Sequence, residues 1–304
     1  MQALRDVFGD TLVQCGKKNK KLVAVSCDLK EATRLSKFFN EFPERSFEVG
    51  IAEANAVGIA SGLALGGFRP IISSFGAFIT GKNVEIRTSI SYNNAPVIII
   101  GTHGGLIGPD GATQSGLQDI SIMRTIPNIQ VFQPSSPIQT KSIIEHVCNS
   151  NDMVYVRIAR NKVPEIYEET YRFKPNSSHV VYHGKDITVF SSGPILHSCI
   201  KAAKDLKDIV SIKVCDIPSL KPVNEDFVIE NSINSNLIFT FEDHNVFGGL
   251  GSIISEIITN NGVNKKLLRF GLNDEFIVSG TPDELENYFH LDSEGIKNTI
   301  SKYL

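Results

Sequence analysis

The sequence predicts an α/β protein built from two parallel-sheet units in tandem, the second smaller than the first, and three observations carry that prediction. Short, continuous apolar runs rich in β-branched residues alternate with segments of helical length and period. Strands that are apolar throughout, and separated by helices, belong to a parallel sheet covered on both faces. A polar, turn-rich stretch from Asn161 interrupts the alternation, which then resumes. A length of 304 residues is also right for two domains at roughly 150 residues each.

The strands expected in the first unit, residues 1–162, are LVAVS from Leu22, RPIISSF from Arg69, APVIIIGT from Ala95, IQVFQP from Ile129 and MVYVRIAR from Met153. Helices are expected over Glu53–Leu65, Gly76–Asn93, Gly116–Arg124 and Ser136–Asn149. Residues 163–184 lack a sustained period and read as a linker. The second unit, 185–304, runs from DITVFSSG through VSIKVCDI, LIFTFED and KKLLRFGL, with helices between, to a charged helical tail at Ser293–Leu304.

Composition narrows the function. Thirty basic residues against thirty-three acidic ones, a net charge of -3, leave no positive field for nucleic acid or anionic membrane. One or two placed arginines could still bind a small anion. The cysteines Cys15, Cys27, Cys148, Cys199 and Cys215 are odd in number, scattered and without a CxxC pair, so neither a zinc site nor a disulfide framework is expected. They read as buried apolar residues of a reducing compartment. The N-terminal segment carries charges throughout, and the longest apolar run, VIIIG from Val97, is far short of a bilayer span. A soluble cytoplasmic protein with no metal ligands of its own is therefore expected.

Ligand sites in open α/β sheets lie beyond the carboxyl ends of the strands, here after Ser26, Gly50, Phe75, Thr102, Pro134 and Ile158. Glu53 is a lone carboxylate at a strand-to-helix junction in an otherwise apolar run. It could complement the helix dipole, or be a desolvated carboxyl kept for proton chemistry. The stretch GTHGGLIGPDGATQSGLQDI holds six glycines in twenty residues, too many for a helix, and His103, Asp110 and Gln114 are its polar members. It lacks the GK[ST] ending of a nucleotide P-loop and has no GxGxxG. Arg160 closes a strand, with Arg157 out of phase with it, and Arg5 lies near the N-terminus; each could be a surface charge or an anion ligand.

Taken together and in order, EVGIAEANAVGIASGLALGGFRP, SSFGAF, GPDGATQSGLQDISIMRTIPNIQVFQPSS, VRIARN and FEDHNVFGGLGS resemble the C-terminal half of transketolase and 1-deoxyxylulose-5-phosphate synthase, nearly end to end. The resemblance implies a pyrimidine-binding domain followed by a transketolase C-terminal domain. The family's diphosphate- and metal-binding half, with its GDG motif, has no counterpart in the sequence. The implied protein is one subunit of a split transketolase that moves a two-carbon ketol unit from a ketose, a sugar phosphate, to an aldose. Its implied partner is an N-terminal subunit holding the phosphates of thiamine diphosphate and a Mg²⁺ or Ca²⁺ ion, in an α2β2 assembly.

By the same resemblance, Glu53 bonds N1′ of the cofactor's aminopyrimidine, favouring the imino tautomer whose 4′-nitrogen takes the proton from the thiazolium carbon. Phe78 packs on the pyrimidine ring with Phe75 beside it, and Asp28 lies beside the cofactor at the subunit interface. Arg5 and Arg160 hold the sugar phosphate, Asp110 bonds a substrate hydroxyl, and His103 lies near the donor's C1 hydroxyl. Four departures bear on the substrate: Gln114 stands where microbial transketolases usually have His, Pro109 replaces Glu, the glycine-rich loop is one residue shorter, and Ala32, beside Thr33, replaces a phosphate-binding Ser. Three other readings share the architecture: the β subunit of a 2-oxo-acid dehydrogenase, a deoxyxylulose-phosphate synthase-like enzyme, and a non-catalytic subunit. The DGATQSGLQD loop and Arg160 weigh against the first, the missing half against the second, and the joint presence of Glu53, Phe78, Arg5 and Arg160 against the third.

Overall fold

The computed structural model describes residues 1–304. Its larger sheet has seven strands in the spatial order Ser219–Lys221, Ile129–Phe132, Met153–Ile158, Ile98–Thr102, Arg69–Phe75, Leu22–Ser26, Ser46–Glu48. The six strands of the first domain are mutually parallel. Ser219–Lys221, from the second domain, adds antiparallel to Ile129–Phe132 and closes that edge. The strand Leu22–Ser26 is buried at every position, as its unbroken apolar pattern requires. One face of the sheet is covered by the helices Leu4–Lys18 and Pro137–Asn149, with Phe8, Leu12, Phe38 and Ile143 in the packing. The helix Glu53–Leu65 covers the other face, through Ala56, Val57 and Ala60 against Val25 and Ile72.

The second domain carries five strands in the order Leu267–Leu272, Leu237–Asn245, Ile187–Ser191, Ile212–Asp216, His179–Tyr182. All but the last are parallel. The two-unit α/β prediction therefore holds, with differences inside it. The expected linker 163–184 is not free of regular structure: His179–Tyr182 is the antiparallel edge strand of the second sheet. Its HVVY run is strand-forming, but polar neighbours on both sides hid it. Val163 and Lys162 pair with Gln2 and Ala3, tying the N-terminus to the end of the first domain.

The expected helix 76–93 is broken, because the chain leaves helical geometry at Lys82 (φ -99°, ψ 36°), resumes in a single turn at Asn83–Glu85 and passes into a wide π turn at Ile86–Ser91. The expected helix 116–124 starts only at Asp119, since the Gly116 N–H is donated to the His103 carbonyl (3.0 Å). All five cysteines are buried thiols. No helix is long and apolar enough to cross a membrane.

Arg157 joins the two domains. Its strand directs it away from Arg160 into the interior, where it is 1% exposed. Nε donates to both oxygens of Asp119 (3.1 Å), Nη1 donates to Asp243 Oδ1 in the second domain (2.5 Å), and Nη2 donates to the carbonyls of Gly116 (2.8 Å) and Asp243 (2.9 Å). Tyr155 donates its hydroxyl to Asp119 Oδ2 (2.6 Å). Burial opposes the Arg157 charge, but the two carboxylates outweigh it and raise the guanidinium pKa. All three nitrogens of the fork find acceptors, which helps make a buried ion triad tolerable.

A second junction is built on Asp216, which accepts from Ser135 (2.7 Å), Gln139 (2.8 Å) and Tyr167 (2.6 Å). Burial pushes its carboxyl up to about 6 even against those three donors. Replacing Arg157 by Met should lower unfolding stability by about 3–5 kcal/mol, because two buried carboxylates lose their cation together. Urea unfolding followed by circular dichroism measures this, and a loss below about 1 kcal/mol would show that the triad does not hold the junction.

Candidate active site

The carboxyl ends of the central strands and the loops beyond them gather most of the polar residues singled out above. Glu53 opens its helix directly after a turn in which Gly50 takes a left-handed φ of 74°. It is 8% exposed, and Oε1 accepts from the Ser74 hydroxyl (3.0 Å). No other protein donor meets the carboxyl, so Oε2 faces outward unpaired. Cys27 lies close by: burial, then the negative charges of Glu53 and Glu48, push its thiol up to about 12.

Beside Glu53 the strand Arg69–Phe75 turns into a short helix, and Phe75 and Phe78 stack with ring centroids 5.3 Å apart. The His103 ring also packs on Phe75, with centroids 3.8 Å apart and the planes tilted by 30°. Its backbone is left-handed (φ 58°), a conformation that costs a non-glycine residue energy and recurs at functional sites. The Thr102 hydroxyl donates to the Ser74 carbonyl (3.3 Å), so it can receive the proton of His103 Nδ1 (3.0 Å). Nε2 is then the bare acceptor toward Arg5 Nη1 (3.4 Å). Burial, reinforced by Arg5, Arg160 and Arg34, drives the His103 pKa down to about 3.

Arg5 is anchored by donating Nη1 to the Ala32 carbonyl (3.1 Å), while its buried Nε has no partner. Burial lowers its pKa, and the nearby charges of Arg34 and Arg160 lower it further. Arg160 pairs with Asp110 (2.8 Å) at the rim of this basic group, each side chain about a third exposed. Arg5, His103, Asp110 and Arg160 are therefore brought together. Gln114 is on the same loop, but its side chain bonds to nothing within the chain. Asp28 stands apart: it is exposed and left-handed (φ 61°), with its N–H donated to Glu48 (2.7 Å).

Thr33 cannot stand in for a serine at position 32. It is buried, and its hydroxyl is donated to the Leu29 carbonyl (2.9 Å). The glycine-rich loop owes its composition to crowding. A Cβ on Gly105 would meet Asp243 Oδ2 at 1.9 Å, and one on Gly104 would meet Arg157 Cγ at 2.6 Å. Leu106 and Leu117 fix the loop in the core of the second domain. Where the loop faces that domain, Thr113, Gln118, Asn245, Leu272 and Phe276 line a cavity of about 450 Å³, separate from the Glu53 group. No group of three or more His, Cys, Asp and Glu side chains converges as a metal site.

Sequence reasoning missed Ser74, Thr102 and Arg34. The signal for the first was a pair of hydroxyls inside the buried strand RPIISSF, where an apolar residue is the norm. Arg34 is left-handed (φ 65°) and donates Nε to Asp6 (2.5 Å), and nothing in its local sequence marks it.

Residues 1–165 match the transketolase pyrimidine-binding domain family and residues 177–296 the transketolase C-terminal domain family. The chain is 38% identical to a putative transketolase C-terminal section of Methanocaldococcus jannaschii, over 98% of this chain and 95% of that protein. It is 32% identical to one of the subunits of an apulose-4-phosphate transketolase of Phocaeicola vulgatus, over 100% of this chain and 98% of that protein. It also matches 1-deoxy-D-xylulose-5-phosphate synthases, such as that of Caldanaerobacter subterraneus (33% identical), spanning only 48% of that protein's length. Among solved structures it superposes on a chain described as a split gene transketolase in an inactive beta4 tetramer, with a TM-score of 0.91, 34% identity and coverage of 99% of this chain and 98% of that one. The transketolase of Campylobacter jejuni shares the fold at a TM-score of 0.83 and 20% identity, over 99% of this chain and 46% of that one.

His103 should be neutral throughout the range from pH 5 to 8. Its folded value of about 3 lies below the unfolded 6.5. The unfolded chain therefore binds more protons between those values, and this residue costs stability as pH falls through 6.5. Proton NMR of the histidine ring signals, with His103 assigned by substitution, measures the titration. A midpoint near 6.5 would contradict the buried acceptor geometry.

Proposed function

The chain belongs to the transketolase family, and from that premise we propose that it is the pyrimidine-binding subunit of a split, thiamine diphosphate-dependent transketolase. It would act with an N-terminal subunit to move a two-carbon ketol unit from a ketose phosphate to an aldose. The observation that carries the reading is the Glu53 carboxyl. One oxygen is anchored by Ser74 and the other is unpaired, beside the stacked rings of Phe75 and Phe78.

That arrangement fits the aminopyrimidine end of the cofactor. A flat heteroaromatic ring packs well against Phe78, and a ring nitrogen can share a proton with the free oxygen of a desolvated carboxyl. Glu53 would hold that proton at N1′. The cofactor, when bound, supplies the carbanion chemistry of ketol transfer, while the protein orients it and excludes water. The diphosphate and its Mg²⁺ or Ca²⁺ would be held by the N-terminal subunit. Asp28, exposed beyond the Leu22–Ser26 strand, would lie at that interface near the cofactor.

Arg5 and Arg160 would bind the sugar phosphate, a role suited to the forked guanidinium. Asp110 and Gln114 would bind substrate hydroxyls. His103, presenting a bare nitrogen, would accept a hydroxyl proton near the donor's C1. In the free chain Arg160 is held by Asp110, so a phosphate dianion would take the arginine over and release the carboxylate for a hydroxyl. The P. vulgatus relative is described as acting on a phosphorylated sugar, and the 0.91 match is described as a split-gene transketolase, which support the phosphosugar and two-subunit parts of the reading. An α2β2 assembly and a cytoplasmic location complete the proposal.

With the N-terminal subunit co-expressed, the assembled enzyme tests it by ketol transfer. Glu53→Ala should retain assembly and lose turnover, and full activity in that variant would remove Glu53 from the mechanism. Arg160→Ala should raise KM for phosphorylated sugars about 10- to 100-fold, corresponding to the roughly 1.5–3 kcal/mol of a charged hydrogen bond. An equal rise for unphosphorylated sugars would show that Arg160 binds no phosphate.

A further inference from the structure

We propose that Ser74 is the positioning residue that orients the Glu53 carboxyl; this rests on the role proposed for Glu53. Ser74 is fully buried in the strand Arg69–Phe75, on the same face as Ile72 and against the helix that Glu53 opens. Its hydroxyl makes one protein hydrogen bond, to Glu53 Oε1 (3.0 Å). A glutamate carboxyl, attached through three rotatable bonds, has no fixed plane of its own, and a donor on one oxygen restricts it. With Oε1 held, Oε2 is the oxygen left to meet a ligand.

The serine is itself held on its other side. Its carbonyl accepts from the Thr102 hydroxyl (3.3 Å), which in turn meets His103 Nδ1 (3.0 Å). Its cross-strand neighbour is Gly101, which adds no side chain to the layer. One residue thus contacts Glu53 through its side chain and the Thr102–His103 pair through its backbone. A serine placed only for packing would not need an acceptor at that distance. The adjacent Ser73 shows the contrast, since its buried hydroxyl has no partner at all.

The test compares Ser74→Ala, Ser74→Thr and Glu53→Gln. In the isolated chain, ¹³C NMR of glutamate carboxyls, with the Glu53 signal identified by its loss in Glu53→Gln, reads the hydrogen bond directly. The signal should move in Ser74→Ala and return toward its original position in Ser74→Thr, with thermal unfolding little changed. A signal unmoved in Ser74→Ala overturns the inference. In the assembled enzyme, deuterium exchange at the thiazolium carbon of thiamine diphosphate should slow about tenfold or more in Ser74→Ala, at unchanged cofactor affinity, and recover in Ser74→Thr. Exchange that is unaffected in Ser74→Ala but lost in Glu53→Gln overturns the Ser74 inference alone. Exchange that survives in Glu53→Gln overturns the role of Glu53 and the inference with it.

Discussion

One buried guanidinium, that of Arg157, determines much of the remaining architecture. It neutralises Asp119 at the start of a first-domain helix and Asp243 in the strand Leu237–Asn245 of the second domain. The glycine-rich loop must pass over it, which is why Gly104 and Gly105 carry no side chain. The loop carrying His103 and Asp110 is consequently held from beneath by a charge and from the side by Leu106 and Leu117 in the second core. The candidate site is formed by the first domain but kept in place by the second.

Charge is handled differently around the site itself. His103 is kept neutral by burial and by three neighbouring arginines, and its tautomer follows from the Thr102 bond. In the second domain, Glu242 accepts the N–H groups of Leu250 and Gly251 at the start of a helix, and burial still pushes its carboxyl up to about 7. His244 beside it is driven down to about 4, chiefly by burial. A carboxylate raised to about 7 gives stability that fades as pH rises through neutrality, whereas a histidine lowered to about 4 costs stability as pH falls below 6.5. Between pH 4.5 and 6.5 these slopes oppose each other and largely offset.

The sheet strands were legible because parallel strands buried on both faces leave unbroken apolar runs, as in LVAVS and APVIIIGT. Glu53 was legible because a carboxylate is conspicuous in such surroundings. The edge strand at His179–Tyr182 was not, since a half-exposed strand of four residues looks like its polar flanks. The break near Lys82 was hidden because the apolar spacing of residues 76–93 survives the switch from α to π geometry. Arg157 could be placed off the Arg160 face, but its partners lie 38 and 86 positions away. Ser74 escaped for a related reason: a serine in a strand carries no mark of the acceptor opposite it, here 21 residues earlier.

The strand Ser219–Lys221, lent by the second domain to the edge of the first sheet, bears on the order in which the chain can mature. During synthesis the edge formed by Ile129–Phe132 emerges well before the segment that seals it. Until then that edge presents open backbone donors and acceptors, the feature that invites pairing with another chain. Completion of the first sheet thus waits on the second domain, so the two are finished together although each has its own sheet.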